Sequence, residues 1–375
     1  MNTQEFFNNI GLLRVKSVLK LCGFAWLLGS GLVEAADETA FSQYTRMRAM
    51  SYNVQNLFDT RDDPKTLDEE FTPKGKQLWT ESVLNDKMDN LGEIVKDVNP
   101  DILALQEVEN QAVLDQFVAR GLKGQGYQTV ITRESEDPRG IRNALVSRFP
   151  AVKNLTQSHN VTKPTWGDSK TRDILEVVLQ TPRKQLVTVF VNHWPSRRRG
   201  AESEKFRKDV AAKLTDLVSQ TLKSRPEGLV LVMGDFNDEL ENESLKGGLS
   251  WVRKLSELFQ KPLGFMLSID SEWDSLTLEK RGTFYFHRDR VWNAIDHMFY
   301  AEGASLTESS KNTYRYQTGS YSVVKPQAKF LGDKGSPQGC EILPDIGVYN
   351  GRNADRCQKG ASDHFAIKAD FVWRE

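Results

Sequence analysis

Cysteine is scarce in this 375-residue sequence, with three in all, and histidine nearly so, with five. Cys340 and Cys357 are the only cysteines beyond the first 35 residues, too few for a structural zinc cage. Neither sign of charge is in excess, since 50 Lys and Arg stand against 51 Asp and Glu. A globally basic, polymer-coating protein is therefore excluded, and any attraction for a polyanion must come from local clusters. Long apolar runs are missing beyond residue 35, and neither a repeat array nor a disordered composition is present. With 39% hydrophobic residues, the chain can bury a large core as one α/β domain or two ordinary ones.

Residues 1–35 carry the parts of a secretory signal: Arg14, Lys16 and Lys20, an apolar run from Leu21 to Val33, and Val33-Glu34-Ala35 as a small-residue cleavage site. The run is short for a span and is broken by Gly23, Gly29, Ser30 and Gly31, so no stable membrane anchor is expected. Lys20, two residues before Cys22, argues against a lipid attachment. Cleavage would start the mature chain at Ala36 and leave 47 basic against 49 acidic residues. A periplasmic or secreted location follows, and in such a compartment Cys340 and Cys357 are expected to pair. That bond would stabilise by roughly 3 kcal/mol in the chain-entropy picture.

The chain is organised around Leu229 to Asp238. Apolar residues run without a charge into Gly234, then into Asp235-Phe236-Asn237-Asp238, as a buried central strand does when its end opens into a polar crevice. Strand alternation sets Asp235 and Asn237 on one side and Phe236 in the core. The same grammar recurs. A strand from Met47 to Val54 carries Asn53 at its end, another from Asp101 finishes in Glu107, and a third from Leu186 to Val191 empties into Asn192-His193-Trp194. Asp296 is embedded in a strand from Ala294 to Tyr300, and Asp363-His364 leads into a last strand. Helices are expected where Met88, Leu91, Ile94, Val95 and Val98 fall at helical spacing, from Gln111 to Arg120, and where Phe206, Val210, Leu214 and Leu217 mark one face. Asp59 to Thr80 reads as a long loop, and residues 303–360 as a polar, turn-rich insertion.

Polar strand ends distributed over the chain are the pattern of a site assembled at the edge of packed sheets. Carboxylates and amides suit a hard divalent ion, Mg²⁺ or Mn²⁺. Histidines set beside acids suit water activation and leaving-group protonation. Arg197, Arg198 and Arg199, directly after His193, could grip phosphate oxygens, and Trp194 could either stack a base or cap the core.

In order along the chain, Tyr52-Asn53-Val54-Gln55-Asn56-Leu57-Phe58, Leu105-Gln106-Glu107-Val108-Glu109, Asn192-His193-Trp194-Pro195-Ser196-Arg197, Gly234-Asp235-Phe236-Asn237-Asp238, Ile295-Asp296-His297 and Ser362-Asp363-His364 resemble the motifs of the endonuclease/exonuclease/phosphatase superfamily. The wording around Asn53 and His193 looks most like its secreted bacterial nucleases. The resemblance implies one domain, 36–375, built as a four-layer α/β sandwich: two packed, mainly antiparallel or mixed sheets flanked by helices. It implies a metal-dependent phosphodiesterase, a monomer cutting DNA more readily than RNA; a phosphatase or phospholipase-type phosphodiesterase acting on inositol phosphates or sphingomyelin is the alternative. Carried over by position, Glu107 would be the main Mg²⁺ ligand, with Asn53 and Asp363 close to the metal. Asp235 would orient or deprotonate the water, and Asn237 would bond a phosphate oxygen. His364 supported by Asp296 would form an acid/base pair with His193. Asp173 would support His193, and Arg172 joins the phosphate-binding set. Gln55 stands where some relatives have a second acidic ligand.

Overall fold

Strand β1 (Arg46–Leu57) and strand β2 (Ile102–Val108) lie side by side in parallel, linked by helix α1 (Glu81–Val98). The helix starts where the Thr80 side chain accepts the Val83 N–H, and it stops at Asn99, left-handed with its N–H on the Val95 carbonyl, just before Pro100. A second unit repeats the design. Strand β7 (Leu186–His193) and strand β8 (Leu229–Asp235) are parallel neighbours linked by helix α3 (Ala201–Ser224). Each parallel pair is then widened by antiparallel strands. In the first sheet β1 is flanked by β15 (Ile367–Arg374), which also pairs with β13 (Thr313–Tyr316) and β14 (Ser322–Val323), while β2 is followed by β4 (Arg142–Ser147) and β3 (Thr129–Thr132). The second sheet runs β5 (Gln157–His159), β6 (Ile174–Gln180), β7, β8, β12 (Asp296–Glu302) and β9 (Gly264–Phe265), and β10 (Phe284–Phe286) with β11 (Val291–Asn293) forms a separate hairpin.

This computed structural model describes residues 46–245, 264–265, 281–286, 289–303, 310–331 and 360–375. The expected signal segment, residues 1–35, and the expected Cys340–Cys357 pair lie outside the described residues. Residues 44–375 make one compact unit. No helix among the described residues is long and apolar enough to cross a membrane.

Alternation along the strands builds four layers. Leu229, Leu231 and Met233 of β8, with Val187, Val189 and Val191 of β7, face Met47, Ala49, Ile102 and Ala104 of the first sheet across a shared core. On the outer face of the second sheet Val230 and Val232 meet Phe206, Val210 and Leu214 of α3. The outer face of the first sheet, Met50, Tyr52, Leu103 and Leu105, meets Leu84, Met88 and Leu91 of α1 and Val113, Leu114 and Phe117 of helix α2 (Gln111–Arg120). Burial on both faces is why the strands read as continuous apolar runs. The expected four-layer α/β sandwich is the observed fold.

Two expectations need refining. The described parts of 303–360 are not a free excursion, because β13 and β14 extend the first sheet and Tyr314 and Tyr321 sit in the inter-sheet core. The Asp59 to Thr80 loop is pinned rather than loose. Phe71 stacks on Phe58, and Trp79, fully buried, donates to the Phe58 carbonyl at 3.0 Å.

Candidate active site

The rows of side chains that fill the inter-sheet core turn polar at one end. In β8 the row Leu229, Leu231, Met233 continues to Asp235; in β7 Val187, Val189, Val191 continues to His193; in β12 Met298 is preceded by Asp296. Strand register sets these three in one line, His193 opposite Asp235 and Asp235 opposite Asp296. From the first sheet, Asn53 continues Met47 and Ala49 and donates across the gap to Asp235 Oδ2 at 3.0 Å. Glu107 has the wrong parity for this row, since Leu103 and Leu105 face the helices. A bulge between Gln106 and Val108 and a left-handed backbone at Glu107 (φ 66°) re-aim it. Its Oε1 then lies 3.7 Å from His193 Nε2, and its Oε2 accepts the Asn56 N–H at 2.9 Å.

Asp235 is the centre. Its Oδ2 is 3.5 Å from His193 Nε2 and 3.9 Å from His364 Nε2, and its Oδ1 accepts the Asn237 N–H at 2.8 Å. That last bond corrects the alternation argument for Asn237: the strand ends at Asp235, Asn237 turns left-handed (φ 51°), and its amide donates to the Trp194 carbonyl at 3.0 Å. Phe236 is in the core as expected, and Trp194, 1% exposed and packed on Phe236, is core as well, so it stacks no base. Gly234 is required where β7 and β8 meet, because a Cβ there (φ 149°) would come within 1.9 Å of the Asn192 carbonyl oxygen.

His364 Nδ1 pairs with Asp296 Oδ2 at 2.9 Å. Sequence reasoning missed how the pair is positioned: the Thr283 hydroxyl accepts the Asp296 N–H at 3.2 Å, and the Ser362 hydroxyl donates to the Asn53 carbonyl at 2.6 Å while accepting the His364 N–H at 3.1 Å. Thr283 carries no signal beyond hydroxyl type, whereas Ser362 stands in the Ser362-Asp363-His364 motif without a role of its own. Lys87 was also missed; it interrupts the apolar stripe Leu84, Met88, Leu91 of α1, is fully buried, and donates to the Ala361 carbonyl at 2.9 Å. His297, next to Asp296 on β12, faces away from the site, its Nε2 on the Asp238 carbonyl at 2.8 Å. Asp238 is a further missed anchor: buried, it holds Arg207 Nε at 2.6 Å and accepts the Ser244 hydroxyl.

The two histidines are held in opposite charge states. Burial disfavours the charge on His364, but Asp296, Asp363 and Asp235 outweigh it and push its pKa up to about 10. Burial, Arg172, Arg139 and His364 together hold His193 well below the ordinary imidazole value, so it is neutral. The Asp235 carboxyl is pushed up by burial and by Asp296, against the pull of His364.

One expected contact is not made, and the arginines expected to bind phosphate differ in their placement. The Asp173 carboxylate accepts from the Ser158 hydroxyl at 3.1 Å and not from His193, whose Nδ1 has no hydrogen-bond partner among the described residues; β6 begins after Asp173 and turns that side chain toward β5. Arg172 is 7% exposed and is spent on Asp137 (3.1 Å) and the Trp194 carbonyl (2.6 Å), so it props up the site floor rather than offering itself to phosphate. The helical turn at Arg197–Arg199 fans the three arginines apart. Arg197 alone turns in, donating to the Asn237 carbonyl at 2.8 Å; Arg198 is exposed, and Arg199 bonds Ser169 on the surface.

A profile of the Endonuclease/Exonuclease/phosphatase family matches residues 49–371. The chain belongs to that family. No curated protein matches it. Among solved structures, TDP2 from Caenorhabditis elegans shares 17% identity and a TM-score of 0.51, covering 91% of this chain and 81% of that one. An endonuclease/exonuclease/phosphatase from Beutenbergia cavernae is similar at 16% identity and TM-score 0.51, with 88% and 72% covered. A family protein from Bacteroides thetaiotaomicron is similar at 15% and 0.52, with 88% and 99% covered. At such identities the likeness is one of fold. Membership in the family supports a metal-dependent hydrolase acting on phosphodiester bonds.

The donor set fits such a metal. Glu107 Oε1 lies 3.7 Å from His193 Nε2, Asp363 is half-buried and feels the Glu107 charge, and the Gln55 amide oxygen is buried without a hydrogen-bond partner among the described residues. All are hard oxygen donors. Among the described residues, Asp235, Asp296 and His364 also cluster tightly enough to hold an ion, but an imidazolium bonded to Asp296 has no lone pair to give, so these three read as a proton-handling group. Asn53 is committed to Asp235 through its amide nitrogen and to the Gln55 N–H at 2.9 Å through its oxygen, which keeps a second lone pair.

Proposed function

We propose that the protein is an exported Mg²⁺-dependent nuclease, acting as a monomer on DNA in preference to RNA. The observation that carries the reading is the row His193, Asp235, His364 with Asp296 behind it: one neutral imidazole, one central carboxylate and one imidazolium at the end of the inter-sheet core. Glu107 and Asp363, with Asn53 and Gln55 nearby, would hold the cation, which when bound offsets the phosphate's charge and the charge that builds in the transition state.

The chain's own groups supply the remainder. Asp235, fixed by Asn53 and the Asn237 N–H, takes the proton of the attacking water as its oxygen bonds to phosphorus. His364 gives its Nε2 proton to the leaving oxygen as the phosphorus–oxygen ester bond breaks, and Asp296 holds it charged until then. Neutral His193 and the second N–H of the Asn237 amide bond the non-bridging oxygens, and Arg197 adds charge beside Asn237. A polymer with bases suits the flank of the site. The Phe284 ring lies 4.9 Å from His364, with Phe286 beside it on the hairpin, and bases stack on such rings. Export is supported by residues 1–35.

Supercoiled plasmid incubated with Mg²⁺, with and without chelator, tests the proposal. Nicked circles that need both the metal and His364 are expected. No cleavage, together with phosphate released from inositol phosphates or phosphocholine from sphingomyelin, would replace the nuclease by the phosphatase or phospholipase reading.

A further inference from the structure

Helix α1 turns two side chains toward the segment that delivers Asp363 and His364. Lys87 and Asn90 stand three positions apart, so they are neighbours on the helix surface. The Lys87 Nζ donates to the Ala361 carbonyl at 2.9 Å, and the Asn90 amide donates to the Gly360 carbonyl at 2.7 Å. Gly360, Ala361 and Ser362 are buried, so carbonyls left unmet there would be costly. The next groups are gripped from other elements. The Ser362 hydroxyl donates to the Asn53 carbonyl of β1 at 2.6 Å, and beyond His364 the Phe365 N–H donates to the Thr283 carbonyl at 2.7 Å. Backbone on both sides of Asp363 is therefore pinned, while Asp363 itself is half-buried. A fully buried lysine is a costly way to make such a bond, since an apolar residue would continue the stripe Leu84, Met88, Leu91. What the ammonium adds is its hold on Ala361 and a positive charge close to Asp363: burial pushes the Asp363 carboxyl up, and Lys87 is among the charges that oppose it.

We infer that Lys87 and Asn90 are positioning residues: from α1 they clamp the backbone at Gly360 and Ala361 and so fix where the Asp363 carboxylate meets the catalytic cation. The inference rests on the reading of Glu107 and Asp363 as cation ligands. Groups that orient a ligand without touching the ion commonly govern affinity by about ten- to a hundredfold. Here the orienting bonds act on the main chain one and two residues before the Ser362-Asp363-His364 motif, so both Asp363 and His364 inherit their placement from α1. The loop that precedes the helix is tied to the same point, because Lys87 Nζ lies 6.0 Å from the centre of the Trp79 ring, whose Nε1 donates to the Phe58 carbonyl at 3.0 Å.

The test titrates MnCl2 into the protein without substrate, followed by calorimetry, and measures amide hydrogen exchange in chelator. Loss of binding in Glu107→Gln identifies the signal of this site. Asn90→Ala, at a half-buried position, should weaken Mn²⁺ binding by about tenfold or more and speed exchange over residues 360–366 by about tenfold, with the amides of β8 unchanged. Lys87→Met is read by exchange, because losing the ammonium also removes a charge that repels the cation; it should speed exchange over the same residues. Met88→Ala, in the same helix but packed in the apolar core, should lower the thermal midpoint and leave Mn²⁺ affinity unchanged. Parent-like affinity in Asn90→Ala, unchanged exchange over 360–366 in either clamp variant, or an equal loss of affinity in Met88→Ala overturns the inference and leaves the ligand reading standing. A parent protein that binds no Mn²⁺ overturns the ligand reading and the inference with it, so the two failures are told apart.

Discussion

Asp296→Asn keeps the shape of the side chain and removes one charge. In the folded protein His364 is pushed up to about 10, and against an ordinary value near 6.5 that difference corresponds to about 5 kcal/mol in favour of the imidazolium. Three carboxylates oppose the cost of burial, and Asp296 is the foremost: it alone hydrogen-bonds His364, at 2.9 Å, while Asp235 and Asp363 stand 3.9 Å away. Losing the largest of three shares should remove about 2 kcal/mol or more and move His364 back toward the ordinary imidazole value. An amide can also present its N–H to Nδ1 and so favour the wrong tautomer. Turnover on a phosphodiester at neutral pH should therefore fall by roughly a thousandfold or more. Histidine-labelled NMR through a pH titration reads the first effect, initial rates with Mg²⁺ read the second, and circular dichroism checks the fold. Turnover within about tenfold of the parent, with His364 still titrating near 10, would show that Asp296 does not hold the proton.

Gly234→Ala should destabilise by about 3 kcal/mol or more, since the new methyl meets the Asn192 carbonyl at 1.9 Å in a backbone region only glycine favours; urea denaturation measures it. Burial, opposed by the Asp59 N–H, pushes the Glu109 carboxyl up to about 7. Its contribution is whole below its unfolded value and is lost as pH rises through about 7. With chelator present, the stability of the parent should fall by about 3 kcal/mol from this group between acid and mildly alkaline pH. Glu109→Gln should remove that part of the decline. Arg197→Ala should raise KM about tenfold, whereas Arg199→Ala, bonded only at the surface, should change KM by less than about twofold; equal effects would return all three arginines to one role.

What the sequence alone determined is the architecture and the identity of the polar strand ends. Apolar runs such as Leu229 to Met233 can be buried only between two layers, and the residue that ends such a run is offered at the sheet's edge whatever the details. Asn53, His193, Asp235, Asp296 and His364 were legible on that ground. Tertiary structure decided everything that depends on where an edge group then points. Parity would send Glu107 toward the helices, and only a bulge and a left-handed residue bring it to His193. Three consecutive arginines look equivalent in a string, but a single helical turn separates Arg197 from Arg199 by direction. Asp173 is adjacent to β6 in sequence and bonded to Ser158 in space. Lys87 has its partner 274 positions away. Strand identity is fixed by local pattern, while charge state, partner and aim are set by neighbours the chain brings together only when it folds.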